Sequence, residues 1–159
     1  MGIFIVILSL WFQTSTLTVT SPDFQHEGEI PARFTCEGDD ANPALNISGI
    51  PEGTKSLAII VEDPDLPLAT FNHWLVWNIP PQESIAAGSV PGVQGYNSLG
   101  KTSYLGPCPP GGTHRYFFKV YALNTMLDID PDSNKRKLEA AMEDRILAKG
   151  EIMGWYHKK

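Results

Sequence analysis

Apolar residues fall into short runs along the middle of the chain, and turn residues separate these runs. Residues 56–62 form an apolar run that predicts a central β-strand. Residues 73–79 are rich in aromatic and branched side chains and end at two prolines, which predicts a second strand. Residues 114–123 predict a third strand, whose side chains alternate between two faces. One face carries His114, Tyr116, Phe118 and Val120, and the other carries Arg115, Phe117, Lys119 and Tyr121.

One helical pattern stands out towards the C-terminal end. We expect this helix to begin at Asp132 or Ser133 as N-cap and to end at Gly150 as C-cap. Its apolar stripe consists of Leu138, Ala141, Met142 and Ile146. The remaining chain holds 13 prolines and 14 glycines between many short strands. This pattern predicts a mainly β sandwich with one late helix.

Length, composition and charge narrow the class of protein. A chain of 159 residues with 42% hydrophobic and 19% charged residues is an ordinary folded protein with one domain. Its net charge of −6 argues against nucleic acid and anionic membranes as partners. Any anion must therefore be held locally, by a few directed groups.

The first residues form an apolar run, and we interpret residues 1–17 as a leader and residues 18–159 as the single domain. The run from Gly2 to Phe12 is too short to span a bilayer as a helix. It resembles the core of an export signal but lacks a preceding positive charge and a typical cleavage site. A leader kept as it is and an extra strand on the domain are the alternatives. We favour an exported, periplasmic protein that begins near Thr16 to Thr18 after cleavage. Without cleavage the protein would be cytoplasmic.

Residues 95–102 read G-Y-N-S-L-G-K-T and match the nucleotide-binding pattern G-x-x-x-x-G-K-[ST]. That pattern works only between a buried strand and the first turn of a helix. Here prolines and glycines precede and follow it, and proline does not continue a helix. We interpret the match as accidental, although phosphate remains a candidate ligand.

Polar residues concentrate in three segments at predicted strand ends. Asp63-Pro-Asp65-Leu-Pro67 leaves the first strand, His73-Trp74 opens the second, and residues 106–116 form a Gly-Pro loop that enters the third. Each segment alone has an ordinary structural explanation, because aspartate and proline are common in turns. Together they place carboxylates, imidazoles and backbone amides where β scaffolds present binding sites. The amides of Gly106, Cys108, Gly111 and Gly112 are candidate donors in an anion nest.

The same segments resemble the phosphatidylethanolamine-binding protein family, in its bacterial and archaeal branch that is often labelled Raf-kinase-inhibitor-like. The resemblance rests on D-P-D-x-P, H-W-x-x-x-N-I-P and G-K-x-x-Y-x-G-P-C-P-P-G-G-x-H-R-Y-x-F-x-x-Y-A-L, in this order. It extends from about Thr18 to Tyr156. The family implies an antiparallel two-sheet β-sandwich with one main helix near the C-terminus and small helical additions.

The resemblance also implies a surface pocket for phosphate-like anions or phospholipid headgroups, with no catalysis and no cofactor. Carried over by position, its residues are Asp63, Pro64, Asp65, Pro67, His73, Gly106, Pro107, His114 and Tyr116. We expect His73 and His114 to line opposite walls of the pocket, with Asp63 or Asp65 fixing a ring tautomer and Arg115 bracing the loop from behind. A kinase or protease target and a homodimer are left open.

The alternative function is a metal-dependent hydrolase. Asp63, Asp65, His73 and His114 could ligate zinc or iron and activate water. Two carboxylates on either side of a proline do not readily point at one ion, and no His pair has ligand spacing. We therefore prefer the binding protein.

The two cysteines, Cys36 and Cys108, are compatible with one disulfide or with two buried thiols. Cys108 lies in the Gly-Pro loop, and we expect Cys36 to lie close to it beside the pocket.

Overall fold

The computed structural model describes residues 14–159, which form ten strands, one α-helix and a short 3₁₀ helix at Ala32–Phe34. The strands are β1 Ser15–Thr16, β2 Thr18–Thr20, β3 Gly28–Glu29, β4 Leu45–Ser48, β5 Ser56–Asp63, β6 Phe71–Ile79, β7 Ser84–Ile85, β8 Val93–Gln94, β9 Thr113–Leu123 and β10 Ile146–His157. The helix α1 spans Lys135–Met142. The three strands predicted from the sequence are β5, β6 and β9, each extended by one or two residues.

Two sheets make up the fold. The larger has the order β1-β10-β9-β5-β6-β8, with β3 also paired to β10, and the smaller has the order β2-β4-β7. The long strands β5, β6, β9 and β10 are antiparallel, and only the short β1 and β3 run parallel to β10. The predicted β-sandwich is confirmed.

The core explains why β5 reads as an unbroken apolar run. Leu57, Ile59 and Val61 pack towards the smaller sheet, in the cluster that also holds Trp74. The intervening residues Ala58 and Ile60 belong to a second cluster with Leu75, Trp77, Leu138 and Met142 under the helix. Because both faces of β5 are covered, all eight of its residues are buried. On β9 the face with His114, Tyr116, Phe118 and Val120 is the buried one.

The helix is shorter than the sequence pattern predicts. Asn134 is the N-cap, and its side chain accepts a hydrogen bond from the N–H of Lys137 at 3.1 Å. The helix ends at Met142, and Asp144 turns the chain with a φ of 60°. The predicted C-cap Gly150 lies inside β10. Residues 146–157 form a strand that pairs with β9 at eleven positions. This pairing outweighs their helix propensity.

A buried charge cluster fixes the helix on the sheet. Glu62 of β5 accepts hydrogen bonds from Lys119 of β9 and from Lys135, the first residue of α1. Burial alone would raise the pKa of Glu62, but the two lysine hydrogen bonds outweigh it, so its pKa is lowered. Glu62 is therefore charged at neutral pH and joins the helix start to two strands.

Most of the predicted leader, including its apolar run from Gly2 to Phe12, lies outside the described residues. From its last part, Ser15 and Thr16 pair with β10, and Leu17 is buried in the core. Within residues 14–159, no helix is both long and apolar enough to cross a bilayer.

Candidate functional site

A cavity of about 290 Å³ opens where β5 ends and where β6 and β9 begin. Four of the predicted site residues line it: Asp63, His73, Gly106 and Tyr116. The rest of its wall is formed by Cys36, Asp40, Leu66, Phe71, Leu99, Leu105, Cys108 and Pro110. The three predicted segments thus converge, although Pro64, Asp65, Pro67, Pro107 and His114 do not line the cavity.

Asp63 is buried, and both of its oxygens are engaged. Oδ1 accepts the N–H of Asp65 at 2.8 Å, which closes the D-P-D turn on itself. Oδ2 accepts a hydrogen bond from Nδ1 of His114 at 2.7 Å. Since a carboxylate can only accept, this contact places a proton on Nδ1 of His114. The expected aspartate–histidine contact is therefore present, but His114 supports Asp63 instead of forming a second cavity wall.

Asp65 points away from the cavity and binds Arg115. Its Oδ2 accepts from the backbone N–H and the Nε of Arg115 at 2.8 and 3.0 Å, and its Oδ1 accepts from Nη2 at 2.8 Å. The guanidinium holds the pKa of Asp65 below its usual range, against the effect of burial. Arg115 therefore fixes the D-P-D turn to the start of β9, at the periphery of the site.

His73 contributes one free ring nitrogen to the cavity. Its Nδ1 donates to the carbonyl of Leu105 at 2.7 Å, and Nε2 makes no hydrogen bond to any part of the chain that is described. Burial lowers the pKa of His73, although the Leu105 carbonyl and the charges of Asp63 and Asp40 act in the opposite direction. At neutral pH the ring is neutral, and Nε2 carries a lone pair.

Tyr116 offers a hydroxyl that has no partner. Its Oη is buried and makes no hydrogen bond within residues 14–159. The ring stands edge-on to His73, with centroids 5.2 Å apart. Burial raises the pKa of Tyr116, and the nearby charge of Asp63 raises it further. The backbone N–H of Cys108 acts in the opposite direction, although it makes no hydrogen bond to the hydroxyl. The hydroxyl therefore stays protonated and can donate into the cavity.

The Gly-Pro loop is held against the segment that follows the 3₁₀ helix. The N–H of Gly106 donates to Oδ1 of Asp40 at 2.6 Å, so this predicted anion donor is already used. A Cβ at Gly106 would lie 2.5 Å from both Asp40 Oδ1 and the carbonyl oxygen of Phe34, which explains the need for glycine. Asp40 has a φ of 54°, a conformation that aspartate tolerates better than most residues.

Cys36 and Cys108 form a disulfide with a Cα–Cα distance of 5.5 Å. Both cysteines line the cavity. The prediction that they lie together beside the pocket is confirmed.

The G-Y-N-S-L-G-K-T segment has no phosphate-binding geometry. Asn97 closes it into a tight loop, because its Oδ1 accepts the N–H groups of Leu99 and Lys101 at 3.0 and 3.1 Å. No helix follows it. The segment serves the site only by placing Leu99 at the cavity wall.

The four candidate ligands of the hydrolase alternative do not form a metal site. Asp63 and Asp65 direct their oxygens to His114, Arg115 and backbone amides. Among residues 14–159, no group of three or more His, Cys, Asp or Glu side chains could hold a metal ion. Nothing supports the hydrolase.

Comparison with known proteins agrees with this architecture. The sequence model of the family described as phosphatidylethanolamine-binding protein matches residues 20–157. The chain belongs to this family, in its bacterial and archaeal branch.

Its relatives come from both archaea and bacteria. A UPF0098 protein of Pyrococcus abyssi is 48% identical over 147 residues, which is 86% of this chain and 83% of that protein. The crystal structure of a phosphatidylethanolamine-binding protein homologue from Chlamydia trachomatis is similar with a TM-score of 0.87 and 38% identity, over 91% of this chain and 99% of that one. YbcL of E. coli is similar with a TM-score of 0.83 and 33% identity, over 91% and 100% of the two chains.

Proposed function

We propose that this chain is a non-enzymatic binding protein whose cavity takes a phosphate-like anion, either free or as the headgroup of a phospholipid. The observation that carries the proposal is the buried hydroxyl of Tyr116, a residue of the cavity wall, which has no hydrogen-bond partner within residues 14–159. A buried donor without an acceptor is costly, and an anion oxygen would satisfy it.

Two further groups converge on the same space. Nε2 of His73 can donate to an anion when the ring is protonated, or accept from a protonated phosphate oxygen when it is neutral. Cys108 also lines the cavity, and its N–H is the second candidate donor. When the His73 ring is protonated, these two groups and the Tyr116 hydroxyl give three donors for the oxygens of one tetrahedral anion, which is how a chain of net charge −6 can hold it.

The carboxylates of the cavity favour a ligand that also carries a positive charge. Asp40 and Asp63 both line the wall, and either would repel a bare anion at short range. An ammonium group near Asp40 would remove that penalty. We therefore expect phosphoethanolamine to bind more tightly than inorganic phosphate.

The chemistry of the wall supports binding without catalysis. Its two cysteines are joined in the disulfide, and it contains no serine or threonine among residues 14–159. The Asp63–His114 pair therefore faces no nucleophile that it could activate.

Calorimetric titration of the oxidised protein tests the proposal. We expect saturable binding of phosphate and phosphoethanolamine at millimolar concentration or below, with a matching rise in unfolding temperature. ATP should bind no more tightly than phosphate, because the glycine loop is not a nucleotide site. Vesicles of phosphatidylethanolamine then separate a lipid headgroup from a free anion. The absence of saturable binding for both small ligands would refute the proposal.

Replacing His73 with alanine is expected to weaken anion binding about ten- to a hundred-fold. A hydrogen bond to a charged group contributes roughly 1.5–3 kcal/mol, which corresponds to that range. Calorimetry on His73→Ala measures it, and His157→Ala is the matched control, since His157 is exposed at the end of β10. Unchanged affinity in a folded His73→Ala protein would assign this histidine a purely structural role.

Tyr116→Phe is a cleaner second variant, because it deletes only the unpartnered hydroxyl. We expect about tenfold weaker anion binding from the loss of one charge-assisted hydrogen bond. Stability without ligand should stay the same or rise, since no bond within residues 14–159 is lost. Weaker binding together with a destabilised fold would contradict this assignment.

The pH dependence of sulfate binding should report the protonation of His73. Sulfate carries no proton near neutral pH, so Nε2 can bind it only from the imidazolium form. Burial lowers the pKa of His73 from the usual 6.5, so affinity should rise as the pH falls towards the lowered pKa and level off below it. Above that pKa it should fall by up to about tenfold per pH unit.

Protonation of His73 has the opposite effect on the stability of the fold, which decreases as the pH falls. A lowered pKa favours the neutral ring in the folded state, so this stabilisation is complete above pH 6.5 and is lost as the pH falls through the lowered pKa. Affinities must therefore be measured where circular dichroism shows a folded protein. If sulfate affinity depends on pH in the same way in His73→Ala, then a group other than His73 takes up the proton.

A further inference from the structure

The disulfide joins two exposed residues of the cavity wall. Cys36 and Cys108 are 72 positions apart in sequence, both line the cavity, and both residues are exposed. Disulfides are exchanged by attack of a thiolate on sulfur, and access to the sulfur is one of the factors that set the rate. A small dithiol can therefore reach this bond while the protein is folded.

Hydrogen bonds hold only the first half of the Gly-Pro loop. The N–H of Leu105 donates to the carbonyl of His73 at 3.0 Å, that of Gly106 to Asp40, and the carbonyl of Pro107 accepts the N–H of Cys36 at 3.1 Å. Residues 108–112 make no hydrogen bond to any other described residue. The chain is held again at Thr113, which pairs with His157. Within this second half of the loop, the disulfide is therefore the bond that links Cys108 to Cys36, in the segment after the 3₁₀ helix.

Cys108 is also a binding residue under the proposed function, because it lines the cavity and its N–H is a candidate donor there. While the disulfide is intact, this donor is already positioned. When the bond is broken, residues 108–112 gain freedom that the ligand must remove again on binding. Ordering the backbone of Cys108 alone corresponds to about a tenfold loss of affinity.

We propose that the Cys36–Cys108 disulfide is a redox switch that controls ligand affinity at this cavity. The inference rests on the proposed function. A dithiol gives two electrons and two protons to the bond, so that the S–S bond breaks, two thiols form on the protein, and the dithiol becomes a cyclic disulfide. The oxidised form binds tightly, and the reduced form stays folded but binds about tenfold more weakly.

Linkage gives a second signature of the same switch. If oxidation raises the affinity for the anion by some factor, then saturating anion shifts the thiol–disulfide equilibrium towards the disulfide by the same factor. Phosphoethanolamine should therefore make the bond harder to reduce in a dithiothreitol redox buffer. This reciprocal shift does not depend on any assumed loop structure.

The test compares phosphoethanolamine affinity by calorimetry in oxidised and dithiothreitol-treated protein, with thiol counting and circular dichroism on each sample. Binding to neither form refutes the proposed function itself. Equal binding to both forms refutes only the switch, and so does global unfolding on reduction. We expect weaker binding to a folded reduced protein, and a redox equilibrium that shifts by the same factor with ligand.

Cys36→Ser/Cys108→Ser is the matched variant. It should bind phosphoethanolamine as weakly as the reduced protein, and dithiothreitol should have no further effect. Wild-type affinity in the double variant would overturn the switch, because the loop would then be positioned without the bond.

Discussion

Asp63→Ala should lower the free energy of unfolding by about 3 kcal/mol, because a buried donor left without its acceptor costs about 1–3 kcal/mol and the D-P-D turn opens as well. Asp63 and His114 are both buried and 2.7 Å apart. The variant leaves the Nδ1–H of His114 without an acceptor and also opens the D-P-D turn. The free energy of unfolding in urea, with an unchanged slope against denaturant, measures the loss.

Asp65→Ala is the matched control from the same turn. Asp65 also binds a basic side chain, but that contact lies at the surface, where Arg115 remains half exposed and water competes for it. We expect a much smaller change in stability than for Asp63→Ala. An equal loss in the two variants would mean that the turn, and not the buried pair, stabilises this end of the sheet.

The sequence predicts the central strands well, since their side chains have few alternatives. The apolar run of β5 suits a strand covered on both faces, and the two faces predicted for β9 differ in burial. The helix boundary fails for the opposite reason. Ala, Lys, Glu and Leu continue after Met142 and are good helix formers, but the partner that overrides them, β9, lies more than twenty residues earlier.

The sequence predicts part of the cavity wall, and the difference has a physical cause. Strand ends identify Asp63, His73 and Tyr116, because the turn chemistry around them is local. Asp40 was missed as a wall residue because its contact with Gly106 joins positions 66 apart. His114 was assigned to the wall, yet its ring bonds Asp63 from outside the lining. The direction of a side chain at such a cavity depends on contacts between residues that are far apart in the sequence. A local sequence pattern does not encode these contacts.

The second large effect is expected for the disulfide. Cys36→Ser/Cys108→Ser should lower the free energy of unfolding by about 4 kcal/mol, the chain-entropy value for a cross-link of this span. The bond acts mainly on the unfolded chain, in which it keeps Cys36 and Cys108 together. Denaturant unfolding of the oxidised wild type and of the double variant measures the difference.

Reduced wild type provides the control, because it lacks the bond but keeps both sulfurs. Its stability should equal that of the double variant, and dithiothreitol should leave the variant unchanged. A loss of less than about 1 kcal/mol would contradict the entropic account and would mean that the unfolded chain already keeps these segments close. A stability of about 5–15 kcal/mol, usual for a domain, leaves the fold intact after a 4 kcal/mol loss. The reduced protein can then remain folded, which is the condition that the redox switch requires.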